Sequence, residues 1–572
     1  MTMHTVRARD TEHRRRLVDV AAGRAPADLI LANARIVNVH AGDIEDGNVA
    51  ICGGRIAGVG PYTRGAETID LGGRYLAPGL MDAHIHLESS LLWVTEFARA
   101  VIPHGTSVTV SDPHEIANVL GLTGMRALIA GTRDLPMSCF FTMPSCVPAS
   151  PSETAGATFG LDEIAEGLTI PEVIGLGELM AYPLVIDAVP ALLARAIAAE
   201  EAHRPIDGHA PGVRGADLQA YIAAGPRSDH ESVTREEAAE KLRRGMSIMI
   251  REGSTEHNLS ALLPLVNDRT WPFIMFCSDD RECSTLVTDG HMDETLRRAV
   301  RGGLDPIRAL QLCTVNTARY WNFRDRGAIA PGMRADLVVL EDLASFRVLR
   351  TYHAGRCVAA EGVPLFASTN AIPDVLRRTM HIGEFGVARL GLPSDGGPMD
   401  AVGIIPGQIV TEHLRVVPLV MNGYVQADPA RDILKLACIE RHRATGNVGV
   451  GLVVGLGLRE GAIASSVAHD AHNIIVAGTN DDDMARAVRA VEAMDGGIVL
   501  VINGAVRGQV PLPIAGLLSD QPAASVARDL EHLSRQVQAL GSPLPAPFAT
   551  LSFLALSVIP AARVTDQGFI AL

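Results

Sequence analysis

The chain has 572 residues, of which 47% are hydrophobic, so it is far larger than a single core requires and we expect two to four domains. Its formal net charge of -15 argues against a nucleic acid or an anionic membrane as the main partner, and small neutral substrates fit this balance better. The eight cysteines form no CxxC pair, which is typical of reduced thiols in a cytoplasmic protein.

The N-terminal segment is charged and lacks an apolar core, so we predict no secretory signal, and no apolar run approaches the roughly 20 residues of a membrane span. A helix is predicted near residues 12–22. The next stretch, ADLILANARIVNVHAGDIEDGNVAICGGRIAGVG, alternates apolar and polar residues between turns, which indicates short antiparallel strands. A similar stretch returns at residues 327–362. We therefore predict a small β-domain, built from residues 1–78 and 326–380, around an inserted domain.

Residues 79–325 are predicted to form the inserted domain. Eight short segments here end in polar clusters, and most are followed by helix-like stretches: YLAPGLMDAHIH, TSVTVSDPHE, SCFFTMPS, EVIGLGEL, RPIDGHAPG, RSDHES, MSIMIREGS and PFIMFCSDD. Predicted helices at residues 189–203 and 235–244 lie in the gaps. Alternating strands and helices indicate parallel βαβ units, and eight of them indicate a (β/α)8 TIM-like barrel with its chemistry at the C-terminal strand ends. RSDHES is almost wholly polar and is assigned by position alone.

Residues 381–572 have a different pattern. Four segments are typical of strands: LRVVPLVMNG, NVGVGLVVGLGL, NIIVAG and GGIVLVING. A helix is predicted at residues 482–493. The fold class expected for the whole chain is therefore α/β: a (β/α)8 barrel inserted in a small β-domain, plus a separate C-terminal α/β domain.

The stretch MDAHIHLESS places His84 and His86 one residue apart at the end of an apolar run. In an extended strand alternate side chains share one face, so both histidines can hold the same cation. An isolated HxH pair is a weak motif, and two ordinary histidines at a strand end are an equally good interpretation.

Other predicted strands also end in residues that can bind a metal. Glu178 ends the fourth strand, His209 the fifth, His230 the sixth and Asp279 the eighth. Six ligands suit two metals, and imidazole together with carboxylate suits Zn, Mn or Fe rather than a thiolate site. Each residue alone has an ordinary alternative, such as a loop histidine for His209 or a helix cap for Asp279. The joint pattern favours a metal site.

These strings resemble the amidohydrolase superfamily, and most closely its bacterial adenine deaminase branch. The similar strings are APGLMDAHIHLESS and IAPGMRADLVVL in the small β-domain, SDPHEIANV, GLGELM, DGHAPG, SDHES and CSDD in the barrel, and AHDAHNIIVAG near the C-terminus. The HxH pair and Asp279 indicate the superfamily but do not distinguish its branches. The combination of GELM, SDHES and AHDAHN is specific to the adenine deaminase branch.

The resemblance implies two divalent metal ions, Mn2+ or Fe2+ in preference to Zn2+. The implied ligands are His84, His86 and Asp279 on one metal, His209 and His230 on the other, and Glu178 between them. Many relatives use a carboxylated lysine as the bridge, whereas Glu178 supplies a carboxylate without carbon dioxide. The implied reaction is attack of a metal-bound hydroxide on the adenine carbon that carries the amine, which gives hypoxanthine and ammonia. Asp279 would be ligand and general base together.

Two further polar groups are predicted substrate contacts: Asp112, His114 and Glu115 after the second strand, and His469, Asp470 and His472 in the string SSVAHDAHN. The first group could instead cap the following helix, because Asp-Pro and an early Glu favour a helix start. For the second group we favour a loop that covers the active site. Metal binding and a solvated turn are the alternatives.

Three other functions compete with adenine deamination. A cyclic amide hydrolase, or a deaminase of another amino-purine, would use the same metals on the same scaffold. A non-catalytic barrel protein is less well supported, because a scaffold gives no reason to keep six buried polar ligands. A nucleic-acid-binding module is poorly compatible with the net negative charge of the chain. The resemblance also implies a homo-oligomer, a dimer or larger, with adenine as the small-molecule partner.

Overall fold

The computed structural model describes residues 3–368 and 371–571. The chain is an α/β protein with a (β/α)8 barrel inserted in a small β-domain and a C-terminal α/β domain, which confirms the predicted fold class. None of the helices in those two stretches combines the length and the apolar character that a membrane crossing needs.

The N-terminal part of the small β-domain consists of one helix and five strands. Helix α1 (Met3–Ala21) starts earlier than the predicted residue 12. The strands are β1 (Ala27–Asn38), β2 (Asp43–Cys52), β3 (Arg55–Gly60), β4 (Gly65–Asp70) and β5 (Tyr75–Pro78). Gly53 and Gly54 connect β2 to β3 with φ of 57° and 76°, a two-residue hairpin turn that needs left-handed backbone at both positions.

Eight short strands form the barrel wall, and the last two lie in one continuous segment and together fill the eighth position. They are β6 (Leu80–His86), β7 (Thr106–Ser111), β8 (Ser138–Met143), β9 (Val173–Leu176), β10 (Ser228–Asp229), β11 (Ser247–Arg251), β12 (Ile274–Cys277) and β13 (Asp279–Asp280). All residues of β6 and β7 are buried, as expected for parallel strands that are covered on both faces.

The barrel is closed, although the fifth position in its wall has no strand of its own. Strands β6 to β9 pair in order and in parallel, and β10 to β12 form a second parallel group. Ile206 joins the two groups, because it bridges to Leu176 and accepts a hydrogen bond from the backbone of Arg227. The pairing of β13 with β6 completes the ring. The predicted strand in RPIDGHAPG is therefore reduced to a single bridge.

Twelve helices accompany these strands in the described part of the chain. They are α2 (Val94–Val101), α3 (His114–Thr132), α4 (Leu161–Gly167), α5 (Tyr182–Ile186), α6 (Pro190–Glu201), α7 (Gly215–Ala223), α8 (Arg235–Arg243), α9 (Leu259–Leu262), α10 (Cys283–Thr288), α11 (Met292–Arg301), α12 (Pro306–Cys313) and α13 (Val315–Tyr320). Helices α6 and α8 match the predicted segments 189–203 and 235–244 closely. Pro190 stands at the first position of α6, where its missing N–H costs nothing.

The chain returns to the small β-domain after the barrel. The returning strands are β14 (Leu337–Leu340), β15 (Val348–His353), β16 (Arg356–Ala360) and β17 (Val363–Pro364). Strand β14 pairs antiparallel with β5, so the nine strands before and after the barrel form one sheet, in the order β17-β16-β15-β14-β5-β1-β2-β3 with β4 beside β1. The exact domain boundaries at residues 78, 325 and 380 stay a prediction.

The C-terminal domain contains a second large sheet. Its elements are β18 (Met399–Ile404), β19 (Thr411–Val416), β20 (Leu419–Met421), β21 (Tyr424–Gln426), β22 (Ile433–Ile439), β23 (Val448–Val454), β24 (Ala462–Ser465), β25 (Ile474–Gly478), α14 (Asp481–Ala493), β26 (Gly497–Ile502), β27 (Ala505–Pro511), α15 (Ala523–Ala539), α16 (Pro547–Phe553), β28 (Ala562–Thr565) and β29 (Gly568–Ala571). Eight of these strands form the sheet, in the order β19-β18-β23-β22-β25-β24-β26-β27.

The C-terminal domain packs against the barrel through a shared core. Trp93 and Phe97 of the barrel belong to the same buried hydrophobic cluster as Leu500 and Leu518 of the C-terminal domain. Backbone hydrogen bonds reinforce the contact, since Ser519 both donates to Leu91 and accepts from Trp93. Because large apolar side chains each contribute about 1.5–3 kcal/mol when buried, this shared core fixes the C-terminal domain over the barrel.

Candidate metal centre and active site

Four of the six predicted ligands form one compact group at the C-terminal strand ends. Nε2 of His84 and Nε2 of His86 lie 3.2 Å apart, on the same side of β6. Oε1 of Glu178 lies 2.9 Å from Nε2 of His86 and 3.1 Å from Nε2 of His84. Oδ1 of Asp279 lies 3.2 Å from Nε2 of His86. The four buried ligand atoms therefore face a common point.

The other two predicted ligands form a second group around the same glutamate. Oε2 of Glu178 lies 2.5 Å from Nδ1 of His209 and 3.6 Å from Nε2 of His230. Glu178, His209 and His230 are all buried and their ligand atoms lie close together. Each oxygen of Glu178 thus belongs to a different group, which is the arrangement expected of a bridging carboxylate.

Neighbouring groups fix the orientation of the ligands. Nδ1 of His84 lies 2.8 Å from a carboxylate oxygen of Asp207, and Nδ1 of His86 lies 3.0 Å from the backbone carbonyl of Asp112. These contacts leave both Nε2 atoms directed into the group, as second partners of metal-binding histidines usually do. The backbone of Asp279 has φ of 58°, an uncommon value for a residue with a side chain, and such strain is often found at functional sites.

The pKa values of the candidate ligands are determined by the close approach of carboxylates and imidazole rings. Burial opposes the ionisation of Glu178, but the charges of His230 and His209 outweigh it and hold the pKa of Glu178 well below its usual value. Burial also opposes the ionisation of Asp279, but hydrogen bonds from His84 and His86 outweigh this effect and hold its pKa well below the usual value. For His209, burial lowers the pKa, yet the charges of Glu231 and Glu178 raise it to about 9. The carboxylates are therefore ionised, and the positive charge that keeps them ionised lies on the neighbouring imidazole rings.

Several polar atoms of the candidate ligand residues have no hydrogen-bond partner among the described residues. They are Oε1 of Glu178, Nε2 of His209 and both ring nitrogens of His230, all of them buried. Unpaired buried polar atoms are costly and call for an explanation such as an ion. Divalent cations fit this donor set, because histidine nitrogen and carboxylate oxygen are the ligands that Zn, Mn and Fe accept.

Arg251 is part of the site, although it was not among the predicted site residues. It ends β11, and its Nη1 lies 2.7 Å from Oδ2 of Asp279 and also bonds Glu231, while Nε donates to Asn258. Burial opposes the charge of Arg251, but Glu231 and Asp279 outweigh it and raise its pKa. A charged residue at the end of the apolar run MSIMI was the only signal available.

The predicted substrate group after the second strand lies beside the metal centre. Oδ2 of Asp112 accepts the backbone N–H of Glu178 at 2.9 Å, and α3 has no side-chain cap, so the capping interpretation is wrong for Asp112. The ring of His114 packs against the ring of His86, and its Nε2 lies 3.6 Å from Asp470 of the C-terminal domain. Glu115 is buried, and burial raises its pKa well above the usual value.

The second predicted substrate group reaches the same place from the C-terminal domain. Nδ1 of His469 lies 3.4 Å from Oε1 of Glu115, and Nε2 of His472 lies 3.9 Å from Oε2. His469, Asp470 and His472 are buried, so a solvated turn is the wrong interpretation. His469 and Asp470 line the cavity over the metal ligands, whereas His472 lies behind them and accepts the N–H of Ala468.

The cavity over the ligands also has an apolar wall that the sequence did not reveal. Its apolar lining residues are Met180, Ile409, Phe553, Leu556, Val558 and Ile559, and all but Met180 belong to the C-terminal domain. Glu256 and Asp280 line the same cavity from the barrel. The arrangement can hold a flat molecule with polar edges against two metal-binding groups.

Comparison with known proteins defines the class of the protein. Residues 75–358 match the model of the amidohydrolase family, and residues 408–572 match the adenine deaminase C-terminal domain. The chain is 49% identical to an adenine deaminase of Dehalococcoides mccartyi, over 97% of each chain. It is 46% identical to one of Desulfatibacillum aliphaticivorans, again over 97% of each chain. The chain belongs to the adenine deaminase family of amidohydrolases.

A solved structure was also found to be similar. It is a beta-aspartyl dipeptidase from Fervidobacterium islandicum AW-1, with a TM-score of 0.47 and 17% sequence identity, and the match covers 59% of this chain and 99% of that one.

Proposed function

We propose that the protein hydrolyses adenine to hypoxanthine and ammonia at a binuclear metal centre. The observation that supports this most is the position of Glu178, whose two oxygens face two separate groups of ligands. The choice of adenine is supported by relatives named adenine deaminase that align with 97% of the chain.

The proposed metals are two divalent cations, Mn2+ or Fe2+ in preference to Zn2+. One would be held by His84, His86 and Asp279, the other by His209 and His230, with Glu178 shared between them. When bound, such cations lower the pKa of water and stabilise negative charge on the substrate. The carboxylates of Glu178 and Asp279 supply two negative charges against four positive ones, so the filled site keeps a positive charge that favours an electron-rich transition state.

Asp279 is the proposed general base. Water adds to the ring carbon that carries the amine, Asp279 accepts the proton that the water loses, and the same proton passes to the departing amine. The carbon–nitrogen bond then breaks and ammonia leaves. Arg251 bonds Oδ2 of Asp279, which keeps Oδ1 directed towards the histidines.

The purine itself is proposed to be held by polar groups from both domains. The raised pKa of Glu115 favours its protonated form, and in that form it can donate a hydrogen bond to a ring nitrogen. His469 and Asp470 approach from the C-terminal domain and line the same cavity. These three side chains can form matched hydrogen bonds with the donors and acceptors on the edge of a nitrogen heterocycle.

The proposal is tested by the products formed from a panel of substrates. Protein with measured metal content is incubated with adenine, other amino-purines and cyclic amides, and ammonia and ring products are quantified. Adenine should give equal amounts of hypoxanthine and ammonia. Asp279→Asn should abolish turnover, while Asp289→Asn, on the exposed end of α10, should not. A metallated protein that is inert on adenine but opens a cyclic amide would overturn the assignment.

Two further properties are proposed with the function. The eight cysteines are all free, which supports a reducing compartment such as the cytoplasm. We also propose a homo-oligomer, on the strength of the resemblance to other amidohydrolases.

A further inference from the structure

Two cavities lie next to each other between the barrel and the C-terminal domain. The inner one, of about 40 Å3, lies over the metal ligands His86, Glu178, His209 and Asp279. The outer one is far larger, about 470 Å3, and lies between the loops after β11 and β13 and the C-terminal domain. The partition between them is formed by three side chains that line both: Glu256, Ile409 and Phe553.

The two apolar members of the partition are held in place by specific contacts. The ring of Phe553 stacks on His469, with centroids 4.6 Å apart and planes within 10°. The backbone carbonyl of Ile409 accepts a hydrogen bond of 2.7 Å from Nη2 of Arg563. Both residues are therefore fixed by the same domain that supplies His469 and Asp470 to the site.

Arg563 connects two segments that contribute to the apolar wall. It is fully buried, and its guanidinium also donates to the carbonyls of Leu556 and Pro560 and to the hydroxyl of Thr411. Burial without a nearby carboxylate lowers its pKa to about 10. A guanidinium bonded only to backbone and hydroxyl oxygens is a structural clamp, and here it joins the Ile409 segment to the segment before β28.

The outer cavity is rich in hydroxyl and carboxyl groups. Its lining includes Ser254, Thr255, Glu282, Ser284, Thr285, Glu531, Ser534 and Thr550. Such groups exchange hydrogen bonds with sugar hydroxyls as readily as with water. The chemistry of the outer cavity therefore does not exclude a substituent such as ribose, and the barrier to such a substituent is the partition itself.

We propose that Ile409 and Phe553 are the specificity-determining residues that restrict the enzyme to the free purine base. The proposal rests on the proposed deamination of adenine. The amine-bearing carbon must lie against the metal ligands, and N9 is at the opposite end of the purine. A substituent on N9 would therefore be directed away from the ligands, where the partition leaves it no passage into the outer cavity. Shortening either side chain joins the two cavities.

The test compares adenine, 9-ethyladenine and adenosine as substrates of four proteins. These are the wild type, Ile409→Ala, Phe553→Ala and the matched control Val410→Ala, whose side chain lines only the outer cavity. The measured quantity is the ratio of kcat/KM for each substituted purine to kcat/KM for adenine. One apolar group at a pocket wall changes such a ratio by about 10- to 200-fold.

The wild type and Val410→Ala should have a low ratio, and Ile409→Ala should raise it by about tenfold or more. Phe553→Ala should do the same if it remains folded, as judged by its thermal denaturation, and Ile409→Ala decides the question if it does not. An unchanged ratio in a folded Ile409→Ala protein would overturn the inference, as would an equal rise in Val410→Ala. Failure of every protein to release ammonia from adenine would instead refute the proposed function.

Discussion

Arg251 and Asp279 form a buried ion pair, with Nη1 of the arginine 2.7 Å from Oδ2 of the aspartate. The pair joins two neighbouring barrel strands, since β11 ends at Arg251 and Asp279 follows β12. It engages one oxygen of Asp279 and leaves the other beside His86. The arginine therefore positions the residue that we propose as general base.

Substitution of Arg251 should reduce turnover more than it reduces metal content. Arg251→Lys keeps the charge but cannot reach Asp279, Glu231 and Asn258 at once, so we expect kcat to fall by about 10- to 100-fold. Arg251→Met leaves two carboxylates uncompensated and should also lower stability, by about 3–5 kcal/mol. Steady-state kinetics and metal analysis check this, with the exposed Arg243→Lys as control. Wild-type kcat in Arg251→Met would remove the positioning role.

Glu178→Gln should lower the number of metal ions bound per chain, because it removes the proposed bridging carboxylate. A neutral amide cannot bridge two cations as a carboxylate does, so we expect less than two metal ions per chain and a loss of activity of about three orders of magnitude. The expected result is read from metal analysis and ammonia release on one sample. Glu166→Gln, at an exposed position on α4, is the control. Retention of two tightly bound metals by Glu178→Gln would contradict the bridging role.

Stability should depend on pH through Glu153. Burial, with the charges of Asp470 and Asp566, raises the pKa of Glu153 to about 8. Since the folded state favours the protonated form, this contribution to stability is complete below about pH 4 and is lost as the pH rises through about 8. Glu153→Gln should match the wild type near pH 5 and be more stable near pH 9.

The size of the Glu153 effect follows from the same shift. One pKa unit corresponds to about 1.4 kcal/mol, so the advantage of Glu153→Gln at pH 9 is on the order of a few kcal/mol. Denaturant unfolding at several pH values measures it. A difference between the two proteins that does not change with pH would show that Glu153 ionises normally.

Removal of the metals should destabilise the protein. Ligands that bind only the folded state stabilise it by about 2.7 kcal/mol at a concentration of 100 times Kd. Chelation should therefore lower the thermal midpoint, and addition of Mn2+ or Fe2+ should restore it. The Glu178→Gln protein should show a smaller change. An identical midpoint with and without chelator would argue that the buried cluster binds no cation.

The barrel and its ligands could be predicted because each rests on a local pattern. His84 and His86 follow from strand periodicity, and Glu178 and Asp279 each come shortly after an apolar strand that ends at the same edge of the barrel. His209 lies in the segment RPIDGHAPG, which contains no such apolar run. The fifth segment was predicted as a strand but contributes only the bridge at Ile206, because Pro205 beside it lacks a donor for a ladder.

Contacts between distant segments could not be predicted from local patterns. Arg251 is one charged residue at a strand end, and its partner depends on the register that places it beside Cys277, two residues before Asp279. The wall formed by Ile409 and Phe553 depends on how the C-terminal domain packs on the barrel. Strand β22 was also missed in the sequence. Its third residue, Lys435, is buried and donates a hydrogen bond to the carbonyl of Leu390.

The central claim, adenine deamination at two metals, is tested most directly by titration of metal-free protein with Mn2+ while ammonia release from adenine is measured. We predict that activity rises to a break at two equivalents of metal per chain and is absent without metal. Full activity at one equivalent, or hypoxanthine formation by the metal-free protein, would contradict the account.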